Sequence, residues 1–315
     1  MTLSWETLAM EATDRLARRD FLKGATAAGA FLAAGCSETG PLGGRSMAAN
    51  APGKAWQIGC YTRPWDQHDY RVALDAIAEA GFKYVGLMTT KAQPPLVISA
   101  TTGVEEAEAI GREVVQRGLI APSVYGGDIP VNESLEAGIK ALRRLIDNCA
   151  AARVGNLMMG GIGDQRLYAA YYKAIAECCD YAAGKKVGIS VKPHGGLNAT
   201  GPQCRKAIES VGHRNFRLWY DPGNIFYYSD GRLDPIDDAA TVDGLVVGMS
   251  VKDYRHPKNV DVTPGSGQVN FPAVMDRLKK GGFTHGPLIV ETLTRGDLPT
   301  LLEEARKARA FLETL

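Results

Sequence analysis

The chain has 315 residues, of which 45% are hydrophobic and 23% charged, and its net charge is +1. That length allows a large core, and the near-neutral balance, without a long basic run, leaves no electrostatic footprint for nucleic acid or for an anionic membrane surface. A small neutral or weakly anionic ligand suits it better.

Residues 1–36 do not read as fold. Arg18-Arg19-Asp20-Phe21-Leu22-Lys23 precedes a mildly apolar stretch, Gly24 to Cys36, that is too short to span a bilayer. The segment resembles a twin-arginine export signal, with Ala17 where Ser or Thr is usual. Ala33-Ala34-Gly35-Cys36 resembles a lipobox, with Ala33 in place of the usual Leu. These resemblances imply a periplasmic or cell-envelope protein that touches the membrane only through its signal or a lipid on Cys36. Residues 37–55, rich in Gly, Ala, Ser and Pro, read as a flexible linker, so the fold is expected over 56–315. The five cysteines after Cys36 are irregularly spaced, which is neither a disulfide framework nor a zinc pattern. Cys60, Cys178 and Cys204 read as small core residues.

From Trp56 onward short apolar segments alternate with helical ones. The predicted strands are Gln57–Tyr61, Tyr84–Met88, Ile120–Val124, Asn156–Met159, Ile189–His194, Phe216–Asp221, Val246–Lys252 and Leu288–Glu291. Helical patterns are predicted at Arg71–Ala80, Val104–Arg117, Leu135–Ala151, Arg166–Ala183, Pro272–Lys280 and Leu298–Leu312, with weaker ones at Gly201–Ser210 and Pro235–Asp243. Eight β–α units in about 260 residues match a single-domain α/β fold, the (β/α)8 TIM barrel.

Catalytic side chains of such barrels sit where strands end. Strand period two places Ser190, Lys192 and His194 on one face of the fifth strand, and Ile189 and Val191 on the other. On the sixth, Asp221 falls with Trp219; on the seventh, Gly248, Ser250 and Lys252 share a face; on the eighth, Glu291 falls with Ile289. Four consecutive strands each bring an ionisable group to one rim, which marks that rim as the candidate site.

Around these residues the sequence resembles the sugar phosphate isomerase/epimerase superfamily of xylose isomerase-like barrels. The resemblance rests on Trp219-Tyr220-Asp221-Pro222-Gly223-Asn224, Ser250-Val251-Lys252-Asp253, Thr263-Pro264-Gly265-Ser266-Gly267 with Val269-Asn270-Phe271, and Gly286-Pro287-Leu288-Ile289-Val290-Glu291, in that order. It implies one divalent metal held by Glu, Asp, His and Glu from strands five to eight. Asp221 and Glu291 fall on the second and fourth of these positions. Lys192 stands at the first and Ser250 at the third, and neither is an ordinary metal ligand.

Three arrangements stay open at this point. His194 replaces a lost ligand, giving a His194–Asp221–Glu291 site for Mn, Zn, Co or Mg. Alternatively the site is metal-free, and Lys192 and Lys252 pair with Asp221 and Glu291 and steady an enediolate oxygen. In the third, the protein binds a sugar without turning it over. The superfamily's reactions remove a proton next to a carbonyl; Glu291 and His194 are the expected bases and Lys192 the expected electrophile, with a Schiff base on Lys192 as the rival chemistry. Tyr61, Arg63, Trp65 and Tyr125 suit a sugar platform with a polar clamp. Asn224, beside Asp221, is also an expected substrate-binding residue, and the N–H groups of Gly265 and Gly267 either meet an anionic ligand or form a tight turn toward Phe271. The expected partner is a carbohydrate. Export favours an unphosphorylated sugar or keto-sugar, acted on by an isomerase, epimerase or lyase.

Overall fold

A computed structural model describes residues 56–315; the signal and linker expected at 1–55 lie outside the described residues. Eight parallel strands follow one another around a closed barrel in chain order. They are β1 (Trp56–Tyr61), β2 (Tyr84–Leu87), β3 (Ile120–Tyr125), β4 (Asn156–Met159), β5 (Gly188–Val191), β6 (Phe216–Tyr220), β7 (Val246–Val251) and β8 (Gly286–Val290). β8 closes the ring on β1 in a five-residue register from Trp56↔Gly286 to Cys60↔Val290. The (β/α)8 barrel read from the sequence is therefore the fold.

The outer layer holds α1 (Tyr70–Glu79), α2 (Val104–Gln116), α3 (Leu135–Ala151), α4 (Tyr168–Gly184), α5 (Gly201–Val211), α6 (Pro222–Tyr228), α7 (Pro235–Ala240), α8 (Phe271–Lys280) and α9 (Leu298–Leu312). Their starts are set locally. Asp69, Ser134 and Asp297 accept from backbone N–H groups of the first turn, and Thr200 with Gln203 forms a reciprocal capping box. Their apolar stripes bury against the outward faces of the strands in one large core, which includes Cys60, Cys149, Cys178, Cys179 and Cys204 as free, buried thiols. No helix among the described residues is long and apolar enough to cross a membrane.

Inside the barrel a second, smaller cluster stands apart: Tyr61, Met88, Met158, Trp219 and Ile289. Period two ties this apolar plug to what lies above it, because Arg63, Asp221 and Glu291 each follow a plug residue by two positions.

Two features depart from the predicted elements. β5 to β8 stop at Val191, Tyr220, Val251 and Val290, one residue short of Lys192, Asp221, Lys252 and Glu291. At β5 the reason is visible: the Lys192 N–H still donates to the Met159 carbonyl, but its own carbonyl is taken by the Asn198 amide and leaves the ladder. The second is α6, which sequence reading missed. Asp221 caps it by accepting from the Asn224 N–H, and Pro222 occupies its first turn.

Candidate active site

The charged ends of four consecutive strands converge with Arg63, which follows β1 in a single 3-10 turn, Arg63–Trp65. Lys192 Nζ lies 2.6 Å from Glu291 Oε2 and 2.9 Å from Asp221 Oδ2. Lys252 Nζ lies 2.7 Å from Glu291 Oε1 and 3.2 Å from Asp221 Oδ2, and donates to Asn224 Oδ1 at 2.9 Å. Arg63 Nη1 donates to Glu291 Oε1 at 2.7 Å. Lys192, Lys252, Asp221 and Glu291 are all buried; the Arg63 side chain keeps partial contact with solvent. Three cations thus face two carboxylates, one positive charge in excess.

That excess decides how the protons are held. Burial alone would lower Lys192, but Asp221 and Glu291 outweigh it and raise the ammonium above its ordinary value. Burial also lowers Lys252, and with Lys192 and Arg63 adding repulsion the same two carboxylates do not compensate, so its pKa comes down to about 8. Burial would raise Glu291, yet Lys192, Lys252 and Arg63 together hold its carboxyl well below the usual range. The loosely held proton of the cluster therefore sits on Lys252.

Two amides fix these lysines: Asn198, which the sequence did not single out, and Asn224, which was expected to bind substrate and is corrected, because both ends of its buried amide are engaged within the protein. Asn198, in the turn after β5, donates from Nδ2 to the carbonyls of Gly160 (2.7 Å) and Lys192 (2.8 Å). Asn224 donates from Nδ2 to the Pro193 carbonyl at 2.6 Å while its Oδ1 accepts from Lys252. An asparagine in a Gly-rich turn, as in Gly195-Gly196-Leu197-Asn198, is too common to single out from sequence.

The other predicted residues divide. His194 is exposed at the mouth, its ring 6.1 Å from Tyr125 and 6.0 Å from Tyr228. Desolvation by the packed wall beneath the ring, then Lys192 and Lys252, lower its pKa from the ordinary value. Tyr125 is half-buried there, and Tyr228, at the end of α6, is an aromatic neighbour that no pattern announced. Tyr61 and Trp65 are corrected: Tyr61 belongs to the plug beneath the charges and Trp65 to the outer core, so neither offers a face to a sugar. Gly265 and Gly267 are corrected as well. Their N–H groups donate to Asp253 Oδ2 at 3.0 and 2.8 Å, and those of Val269 and Tyr254 to Asp253 Oδ1 at 3.0 and 2.8 Å, so the loop wraps the chain's own buried carboxylate instead of an external anion.

The donor set does not fit a divalent cation. The space between Asp221 and Glu291 holds two ammonium groups, and a further double positive charge would join an assembly already one charge in excess. Ser250, at the superfamily's third position, is a buried hydroxyl without a hydrogen-bond partner among the described residues. No three His, Cys, Asp or Glu side chains converge as metal ligands among the described residues, so His194 does not complete a triad with Asp221 and Glu291. Glu291, held well below the usual carboxylate range, is a weak base, and Lys252, lowered to about 8, is the member of the cluster that gives up its proton most readily.

A structure of D-psicose 3-epimerase determined in the presence of D-fructose is similar, with TM-score 0.66 and 15% identity over 82% of this chain and 98% of that one. A xylose isomerase domain protein from Planctomyces limnophilus gives 0.65 and 18% over 82% and 97%, and an L-ribulose 3-epimerase 0.63 and 14% over 82% and 94%. No protein of curated function matches the chain. The family model described as xylose isomerase-like TIM barrel matches residues 74–315, which is most of the chain, and the protein belongs to that family.

Proposed function

We propose that the protein is an exported sugar isomerase, epimerase or lyase that removes a proton next to the carbonyl of an unphosphorylated sugar or keto-sugar, using paired lysines in the place of the family's usual ligand set. The observation that carries this reading is the pair Lys192 and Lys252, which share two buried carboxylates and hold their protons with unlike strength. The likeness of the barrel to epimerase structures supports the reaction class.

Lys192, which stays protonated, donates to the carbonyl oxygen. Lys252 as free amine takes the proton from the adjacent carbon; the C–H pair moves into a C=C bond, and the carbonyl pair moves onto the oxygen. The enediolate so formed lies against Lys192 and Arg63. Before transfer the cluster with neutral Lys252 is charge-balanced; afterwards its single positive charge matches the single negative charge of the enediolate. Return of the proton to the former carbonyl carbon, with the adjacent hydroxyl proton passing to the first oxygen, isomerises; protonation of the same carbon from solvent on its opposite face epimerises; and departure of a β-hydroxyl as water, with the proton carried by Lys252, dehydrates. A Schiff base, where one forms, belongs on Lys252 and not on Lys192, because only Lys252 has a lone pair near neutral pH. Tyr125, Tyr228 and His194 supply ring faces at the mouth by which the sugar enters.

The second reading, sugar binding without turnover, has one observation in its favour: all four carboxylate oxygens are already engaged by groups of the protein itself. Proton exchange separates the two. In heavy water the wild type should wash deuterium into D-fructose or D-tagatose beside the carbonyl, and Lys252→Met should lose this by about 1,000-fold, some 4 kcal/mol of barrier. Saturable binding of these ketoses without any exchange would favour the second reading.

A further inference from the structure

A barrel interior is ordinarily filled by layers of side chains. Here the upper layer is the charged cluster and the middle one is the apolar plug, but the lowest layer is underfilled. Gly188 on β5 and Ala121 on β3 contribute almost nothing there, and a cleft of about 490 Å³ opens beneath the Trp219 indole at the N-terminal ends of the strands. Arg217, two residues before Trp219 on β6, points to the same inner face. Arg153, just past α3, and Arg214, in the turn before β6, stand at the rim.

No acidic residue among the described residues lines this cleft. Arg217 Nη1 donates only to the neighbouring Phe216 carbonyl, at 3.3 Å, and among the described residues none of the three guanidinium groups is ion-paired. Arg153 holds φ at 60°, a left-handed conformation that glycine adopts with less strain, yet an arginine stands there. Ile120 and Val247, two of the larger hydrophobic side chains exposed on the protein, form apolar parts of the wall.

We propose that this basal cleft is a second ligand site, which takes a small molecule bearing a phosphate or carboxylate group on a partly apolar body. Three forked donors matched to planar or tetrahedral oxyanions supply the charge recognition, and the exposed Ile120 and Val247 supply the apolar surface. The plug separates the cleft from the lysine cluster, so the site is distinct from the proposed chemistry and independent of it.

The test is titration of the full chain with pyrophosphate and with citrate, read by calorimetry and by tryptophan fluorescence, in the wild type, in Arg217→Met and in the double variant Arg153→Met/Arg214→Met. Saturable binding to the wild type is expected. Each variant should weaken it about tenfold or more, as loss of a charge-assisted hydrogen bond does, with the melting temperature unchanged. Equal affinity in the wild type and Arg217→Met would overturn the proposal, as would absence of binding up to roughly 10 mM of either anion. Sedimentation with phosphatidylglycerol vesicles distinguishes a lipid headgroup from a free metabolite. Retention on vesicles without binding of the free anions would also overturn it, in favour of a membrane surface.

Discussion

At the C-terminal end of the barrel Arg63, Lys192 and Lys252 are locked against two buried carboxylates, whereas at the N-terminal end Arg153, Arg214 and Arg217 surround a cleft that no acidic side chain lines among the described residues. The difference follows depth. A charge removed from water must be paired within the protein, while a guanidinium that borders solvent can stand alone and keep its donors for something else. The upper cluster is accordingly sensitive to the loss of either carboxylate, and the lower one is open to substitution without loss of fold.

This contrast can be broken by single substitutions. The largest effect is expected for Lys252→Met, which should cost about 1,000-fold in proton exchange while leaving a balanced set of two cations and two carboxylates, so that stability changes little. Next, Glu291→Gln leaves three cations against one carboxylate and should destabilise by about 3–5 kcal/mol in chemical unfolding, against less than about 0.5 kcal/mol for Arg217→Met below the plug. Comparable losses for both would mean that the two ends do not differ as described.

A pH series sharpens the same point. Because Lys252 is lowered to about 8 when folded, the unfolded chain binds more protons than the folded one between that value and the ordinary lysine range. Lys252 therefore opposes folding below pH 8, and this opposition fades as pH rises. The stability of the wild type relative to Lys252→Met should climb across this interval, and exchange should rise about tenfold per pH unit before levelling near pH 8. A flat profile would assign the base elsewhere. A smaller effect than that of Glu291→Gln is expected for Asp253→Asn, which weakens the four N–H bonds around one carboxylate and should cost about 2 kcal/mol in stability with little change in exchange rate.

The barrel was legible because each strand is a short apolar run followed by a helical period, and because this alternation admits few other folds. The residues of the cluster were legible for a related reason: Lys192, Asp221, Lys252 and Glu291 are charges at the ends of strands otherwise apolar. Their partners were not. Pairing of one lysine with a carboxylate on another strand depends on register around the closed ring, and the sequence near Lys192 contains nothing that names Glu291. The same blindness misplaced Tyr61, whose inward direction places it in the plug, and Gly265 and Gly267, whose donors are claimed by Asp253. The basal cleft escaped notice altogether, because a hollow is defined by what Gly188 and Ala121 lack.

Arg63 and Glu291 meet across 228 positions of chain, at the seam where β8 closes on β1. A chain made from its N-terminus has both ammonium groups of β5 and β7 in place before Glu291 exists. Until then the growing interior holds cations with one carboxylate between them, and water must remain there to solvate the surplus. Drying of the upper barrel and arrival of the last strand are in that sense one event, which makes closure late, cooperative and dependent on contacts between the first and last strands.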